Sequence, residues 1–284
     1  MFFESESSLQ VHEEKSANIT KIYSNFLIHR IYHVSVYLSI SYTLLQCVLM
    51  TIGLAAYRFV NNDISFNISQ IRSALECAHF RADLLCFGEA FLQGFDSLSW
   101  NYERDKSVAI MQNSAVMREL CALTNLYGVD LLVGYIERNG EELYSSCALL
   151  KNGILAHNYR RISVGWKDCA HADAHYCEGI EAASFSYKGR EFQLALCGDL
   201  WDFPERFKTN APLLWPVCID YASTEWQSFR HEYAKQVSQV SPTVLLVNSL
   251  SEKSNAHGGA FCFRGGSVTQ ELPPDTEDIL FVDV

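Results

Sequence analysis

The stretch DLLCFGEAF, residues 83–91, decides how the fold is read. Leu84, Leu85, Cys86 and Phe87 form a continuous apolar run that breaks at Gly88 into a loop carrying Glu89. A strand with one wet face alternates apolar and polar residues, whereas an unbroken apolar run fits a strand covered on both faces. Upstream, TIGLAAY (51–57) has the look of a core strand running into a loop. Between the two, Asn62 or Asp63 is placed to cap a helix whose apolar face is Ile64, Ile68, Ile71, Leu75 and Ala78, at helical spacing.

Downstream the alternation continues. A second helix is expected over about 105–126, stopping near Gly128, followed by the strand DLLVGYIE (130–137). Asn139-Gly140 and Asn152-Gly153 flank EELYSSCALLK, which predicts three strands joined as consecutive hairpins. FQLALC (192–197) is a further strand, Trp226, Phe229, Tyr233, Val237 and Val240 mark a third helical face, and TVLLVN (243–248) returns to the sheet. Interleaved strands and helices without repeats or linker-like tracts make residues 50–284 one α/β domain.

The first 49 residues read differently. Ile31 to Tyr57 carries no formal charge over 27 residues, long enough to cross a bilayer. The stretch is nevertheless dotted with Ser, Thr, Gln and His, and the acidic MFFESESSLQVHEEK is the wrong sign for the start of a secretory leader. The expectation is an appended segment over 1–49 that takes no part in the core, with Met50 opening the domain.

Composition narrows the partners. A chain of 284 residues, 49% hydrophobic, has enough apolar mass for a sizeable core. Its formal charge of −11 argues against nucleic acid or an anionic membrane surface as a partner, since both repel it. Ten cysteines scattered singly, without a CxxC pair, do not make a disulfide framework, so a reducing, cytoplasmic setting is expected.

In an α/β sheet, polar groups converge on a ligand at the carboxyl ends of the strands. Three such ends carry chemistry: Glu89, the pair Arg160-Arg161 with Lys167 beyond it, and Cys197. A thiol needs a base to become the attacking thiolate and a cationic donor to hold the oxyanion that its attack creates. Carboxylate, cation and thiol make up that set. The run His171, Asp173, His175, Cys177 and Glu178 has no zinc spacing, so no metal site is expected there.

LLCFGEAFLQGF (84–95), NYRRISVGWK (158–167) and LALCGDLWDFPE (194–205), in this order, resemble the three catalytic segments of the carbon-nitrogen hydrolase (nitrilase) superfamily, with further similarity in VNSLSEKSNAHGGAFCFRGGSV (247–268). The resemblance implies a four-layer α-β-β-α sandwich and a Glu-Lys-Cys catalytic set. It makes Glu89 the general base and Cys197 the nucleophile of an acyl-thioester mechanism on a small amide or nitrile, with no cofactor, and it suggests a homo-oligomer. Asp199, Trp201 and His257 become candidates for contacting substrate, Asp199 also for shaping the turn after the nucleophile.

The departure is at the lysine, where the family's Tyr-Arg-Lys reads Tyr159-Arg160-Arg161. Arginine can stabilise an oxyanion but does not release its proton. Lys167 is therefore placed ahead of Arg161 for the mobile cation, with Arg161 as an orienting or oxyanion-binding partner and Arg160 as a solvated charge. Asp168 is the nearest acidic residue to stand for the family's second glutamate. A relative that keeps the sandwich for binding or assembly, catalytically silent, is the alternative that the missing lysine favours.

Overall fold

The computed structural model describes residues 50–251 and 256–284; the segment expected to stand outside the core, 1–49, lies outside the described residues. Thr51–Ala56 (β1) and Leu84–Cys86 (β3) are short and buried, and they pair in parallel, Ile52 opposite Leu84. Arg58–Phe59 (β2) lies between them in sequence, and Ile64–Ala78 (α1) crosses over. Asp63 caps that helix, its carboxylate accepting from the Phe66 N–H at 2.9 Å, while Ile68, Ile71, Leu75 and Ala78 are buried as the spacing predicts.

The expected helix over 105–126 is interrupted. Tyr102–Asp105 (α2) is one turn, and Ala115–Tyr127 (α3) begins after a Ser114 cap and ends at Gly128 in the left-handed conformation. The intervening Ile110 instead adds a bridge to the next strand, its N–H donating to Ile136 O while its carbonyl accepts from Arg138 N. Backbone pairing over this stretch therefore replaces the first part of the expected helix.

Asp130–Asn139 (β4), Glu142–Lys151 (β5) and Ile154–Arg160 (β6) form the expected double hairpin. Asn152-Gly153 makes the second turn, both residues at positive φ. In the first turn Asn139 pairs with Glu142, so Gly140 and Glu141 occupy the turn, one residue later than the Asn-Gly pair suggests.

Ala183–Tyr187 (β7), Arg190–Leu194 (β8), Leu213–Val217 (β9), Thr243–Asn248 (β10), Ala260–Arg264 (β12) and Ser267–Leu272 (β13) build a second sheet. The single helical turn Asp199–Asp202 (α4) follows β8. Leu250–Ser251 (β11) pairs with β2, and Asp278–Asp283 (β14) closes the first sheet against β1. The two sheets run β14-β1-β3-β4-β5-β6 and β13-β12-β10-β9-β8-β7. Each has three parallel strands at its centre, β1-β3-β4 and β8-β9-β10, flanked by antiparallel ones.

Strand alternation sorts the side chains into layers. Leu84, Cys86, Leu132, Cys147 and Tyr159 face the second sheet and share one core with Leu194, Leu214 and Leu245. Leu85, Leu131, Val133, Ala148 and Leu150 face the other way, against α1 and α3. On the far side Ser223–Ser238 (α5) packs Trp226 and Tyr233 against Phe261 and Trp215. The result is an α-β-β-α sandwich of the nitrilase type. No helix among the described residues is long and apolar enough to cross a membrane.

Candidate active site

Glu89 follows β3, in the middle of the first sheet, and Cys197 follows β8, next to the edge strand β7 of the second, and both stand where the chain leaves the ladder. The Glu89 N–H donates to Val217 O at 3.1 Å and the Cys197 N–H to Pro216 O at 3.0 Å, so β9 anchors both turns. The turns are strained. Ala90, directly after Glu89, has φ 50°, and Cys197 itself has φ 36°. Such conformations cost a residue with a Cβ about 1–3 kcal/mol and persist only where surroundings impose them.

Two glycines make the close approach possible. A Cβ on Gly134 would lie 2.4 Å from Gly88 O and 2.7 Å from Glu89 Cα. A Cβ on Gly198 would lie 2.5 Å from Arg161 Nη2. The glycine after Cys197 thus leaves room for a guanidinium.

Arg161 occupies that room. Its Nη1 donates to both Glu89 oxygens, at 2.9 and 3.1 Å, and its Nε donates to Ser163 Oγ at 2.7 Å. Ser145 Oγ donates to the same Glu89 carboxylate at 2.7 Å. The pair is almost sealed from solvent, at 3% side-chain exposure for Arg161 and 0% for Glu89. Burial works against the charge on Arg161, but Glu89 and the Cys197 site outweigh it and hold the guanidinium more firmly protonated than usual.

Cys197 is partly buried, its Sγ 3.6 Å from Cys218 O. Burial pushes its thiol up to about 11, the charge of Glu89 adds to the rise, and Arg161 opposes it. At neutral pH the resting group is therefore a thiol that needs a base beside it.

The other expected residues are distributed differently. Lys167, placed first for the mobile cation, is held away from Glu89: its Nζ donates to Tyr176 O at 2.7 Å and pairs with Glu178 at 2.6 Å. Arg161 takes the contact with Glu89 because it continues the inward alternation of Tyr159, whereas Lys167 lies beyond a short turn at Val164–Trp166. Arg160 is not a solvated charge either; it pairs with the buried carboxylate of Glu137. Asp168 is bound to His171 at 2.7 Å and His175 lies 2.8 Å from Asp173, so each loop histidine is matched to its own carboxylate.

Asp199, a candidate for substrate contact, is instead fully buried with its oxygens engaged. One accepts from the Ile162 and Ser163 N–H groups at 3.0 and 2.9 Å, the other from Tyr159 Oη at 2.6 Å and Leu196 N at 2.9 Å. It ties the segment bearing Arg161 to the turn bearing Cys197. Trp201, on α4, is 40% exposed and meets the Tyr233 ring edge-on at 5.1 Å. His257 lies 2.7 Å from Asp275 and 3.5 Å from Asp220, clamped between two loops. Ser145, Ser163, Gly134 and Gly198 carry no sequence signal as members of the site; only the Cys-Gly dipeptide hints that something needs space after the thiol.

The sequence matches the family model described as carbon-nitrogen hydrolase over residues 49–200. No curated protein matches it. Among solved structures, a carbon-nitrogen hydrolase superfamily protein from Xanthomonas campestris with an arsenic adduct in its active site is 15% identical, with a TM-score of 0.68 over 83% of this chain and 90% of that one. A variant of the amidase from Nesterenkonia sp. AN1, with acrylamide added to its active-site cysteine, is 19% identical, with a TM-score of 0.66 over 83% of this chain and 93% of that one. The glutamine-dependent NAD+ synthetase from Acinetobacter baumannii is 16% identical at a TM-score of 0.66, over 82% of this chain, which spans only 45% of the synthetase. At these identities the likeness speaks for the fold.

Proposed function

Because the chain belongs to the carbon-nitrogen hydrolase family, we propose that it hydrolyses a small-molecule amide through Cys197, with Glu89 as the proton carrier and Arg161 as a fixed cation. The observation that carries this reading is the convergence of a sealed Glu89–Arg161 pair with a strained Cys197 just beyond the ends of β3 and β8.

Each step follows from the groups present. Glu89 takes the Cys197 proton, and the thiolate attacks the amide carbon. The oxyanion is held by Arg161 and by the Gly198 N–H. Glu89 then gives its proton to the departing nitrogen as the C–N bond breaks, leaving a thioester. Water loses a proton to the same carboxylate and adds to the thioester carbon; the C–S bond then breaks, the acid leaves, and Glu89 returns the proton to the Cys197 thiolate. In this scheme all proton traffic runs through Glu89, because a guanidinium supplies charge and hydrogen bonds but no proton.

A binding protein without turnover is the second reading, favoured by the arginine in the lysine position and by the high thiol pKa. Ammonia release over a panel of small amides and nitriles separates the two. Turnover that disappears in Cys197→Ala and Glu89→Gln, with the fold intact, is the expected result. Turnover that survives Cys197→Ala rejects the hydrolase reading.

A further inference from the structure

Two constellations, each with a Glu, an Arg and a Ser, stand back to back across β4, β5 and β6. On the inner face are Glu89, Arg161 and Ser145. On the outer face Glu137 accepts from Arg160 Nε and Nη2 at 2.9 and 2.8 Å, Ser146 Oγ at 2.7 Å, Asn158 Nδ2 at 2.9 Å and Gln112 Nε2 at 2.7 Å. Neighbours along a strand point to opposite faces, so Ser145-Ser146 and Arg160-Arg161 each send one side chain to either constellation.

Glu137 is almost wholly buried, with 1% side-chain exposure. Burial alone would raise its pKa, yet the hydrogen bonds from Arg160, Ser146, Gln112 and Asn158 bring it below the usual carboxylate range. A buried ion pair is a weak source of stability by itself, because the desolvation cost offsets most of the attraction. Its position suggests another use. β6 is the edge strand of its sheet and its ladder ends at Arg160; past that point the backbone bonds of Arg161 are its N–H to Ser145 O at 2.8 Å and its carbonyl to Gly179 N at 2.7 Å, and Asp199 takes the next two N–H groups, of Ile162 and Ser163. On the outer face the tie at this strand end is Arg160 to Glu137, and a long arginine side chain at the next position amplifies any tilt of the backbone.

We propose that Glu137 is a positioning residue for the site: by anchoring Arg160 on the outer face it fixes the strand end so that Arg161 enters the inner face against Glu89 and Cys197. The inference rests on Arg161 being the cation of the proposed site. It assigns Glu137 no contact with substrate.

The charged and titratable groups acting on the Cys197 thiol are Glu89, Arg161, Asp199, Cys218 and Tyr233. Arg161 is the cation among them, so its withdrawal makes the thiol harder to ionise. The test is the rate of Cys197 alkylation by iodoacetamide as a function of pH, read from the peptide that contains Cys197, in the full chain. Glu137→Gln is expected to slow labelling about tenfold at each pH below the thiol pKa, because the thiolate fraction there falls by about the same factor. Since Glu137→Gln leaves Arg160 uncompensated and the chain can fail to fold, Glu137→Gln/Arg160→Met removes both charges and keeps the protein testable. The same slowing is expected in it, while Arg160→Lys, which keeps the anchor charge, moves back towards wild type. A double variant that labels with the wild-type profile overturns the proposal, whether its unfolding midpoint falls or not. Labelling needs no substrate, so a wild-type chain that releases ammonia from no amide counts against the hydrolase reading and leaves this test in force.

Discussion

Replacing Arg161 by methionine removes the positive charge that faces Glu89 and leaves most of the volume in place. The carboxylate then stays at 0% exposure with Ser145 Oγ as its hydrogen-bond donor and no counter-charge in contact. Breaking a buried ion pair from one side costs about 3–5 kcal/mol, because the surviving charge is uncompensated. Ser163 Oγ also loses the Nε donor at 2.7 Å, a smaller loss. Adding Glu89→Gln to the variant removes the stranded charge, and an amide can still accept from Ser145, so most of the loss should return. Equilibrium urea unfolding of wild type, both single variants and the double variant at neutral pH gives the cycle. If unfolding is irreversible, the single variant should fall in melting temperature on the order of 10 °C, at roughly 2–4 °C per kcal/mol for a domain of this size. Equal loss in the Arg161→Met and double variants would refute the argument, since it would mean that the two charges are not coupled.

Three further outcomes are expected. Arg161→Met should lower kcat about a hundredfold or more, the scale for losing one preorganised oxyanion donor, while Lys167→Ala should stay near wild type because its ammonium is engaged by Tyr176 and Glu178; steady-state kinetics on one substrate that reverse this order reject Arg161 as the cation. Free Cys197 should be alkylated ever faster as pH rises towards about 11, because burial and Glu89 keep the thiol protonated below it; a plateau near neutrality in the labelling profile would contradict this. Deleting residues 1–49 should leave a folded chain with unchanged ammonia release, as the described core begins at Met50; a truncated chain without cooperative unfolding would place that segment in the fold.

Whatever depends on neighbours in the chain is legible in the residues alone. The apolar runs at 84–87 and 243–248, a helix cap at Asn62 or Asp63, the Asn152-Gly153 turn and the three motif segments all follow from local spacing, and local spacing is enough to place the strands that carry Glu89 and Cys197. It is not enough over 105–126, where one helix is expected but Ile110 gives its backbone bonds to β4. Nor does it decide the cation. Arg161 and Lys167 are six residues apart, similar in charge, and each has a carboxylate within reach. Tertiary packing gives Glu89, 72 residues away in sequence, to Arg161, and gives Glu178 to Lys167. A buried charge takes the partner that packing brings within hydrogen-bond distance, and that partner is set by strand alternation and by the empty space at Gly198, neither of which is visible until the two sheets are face to face.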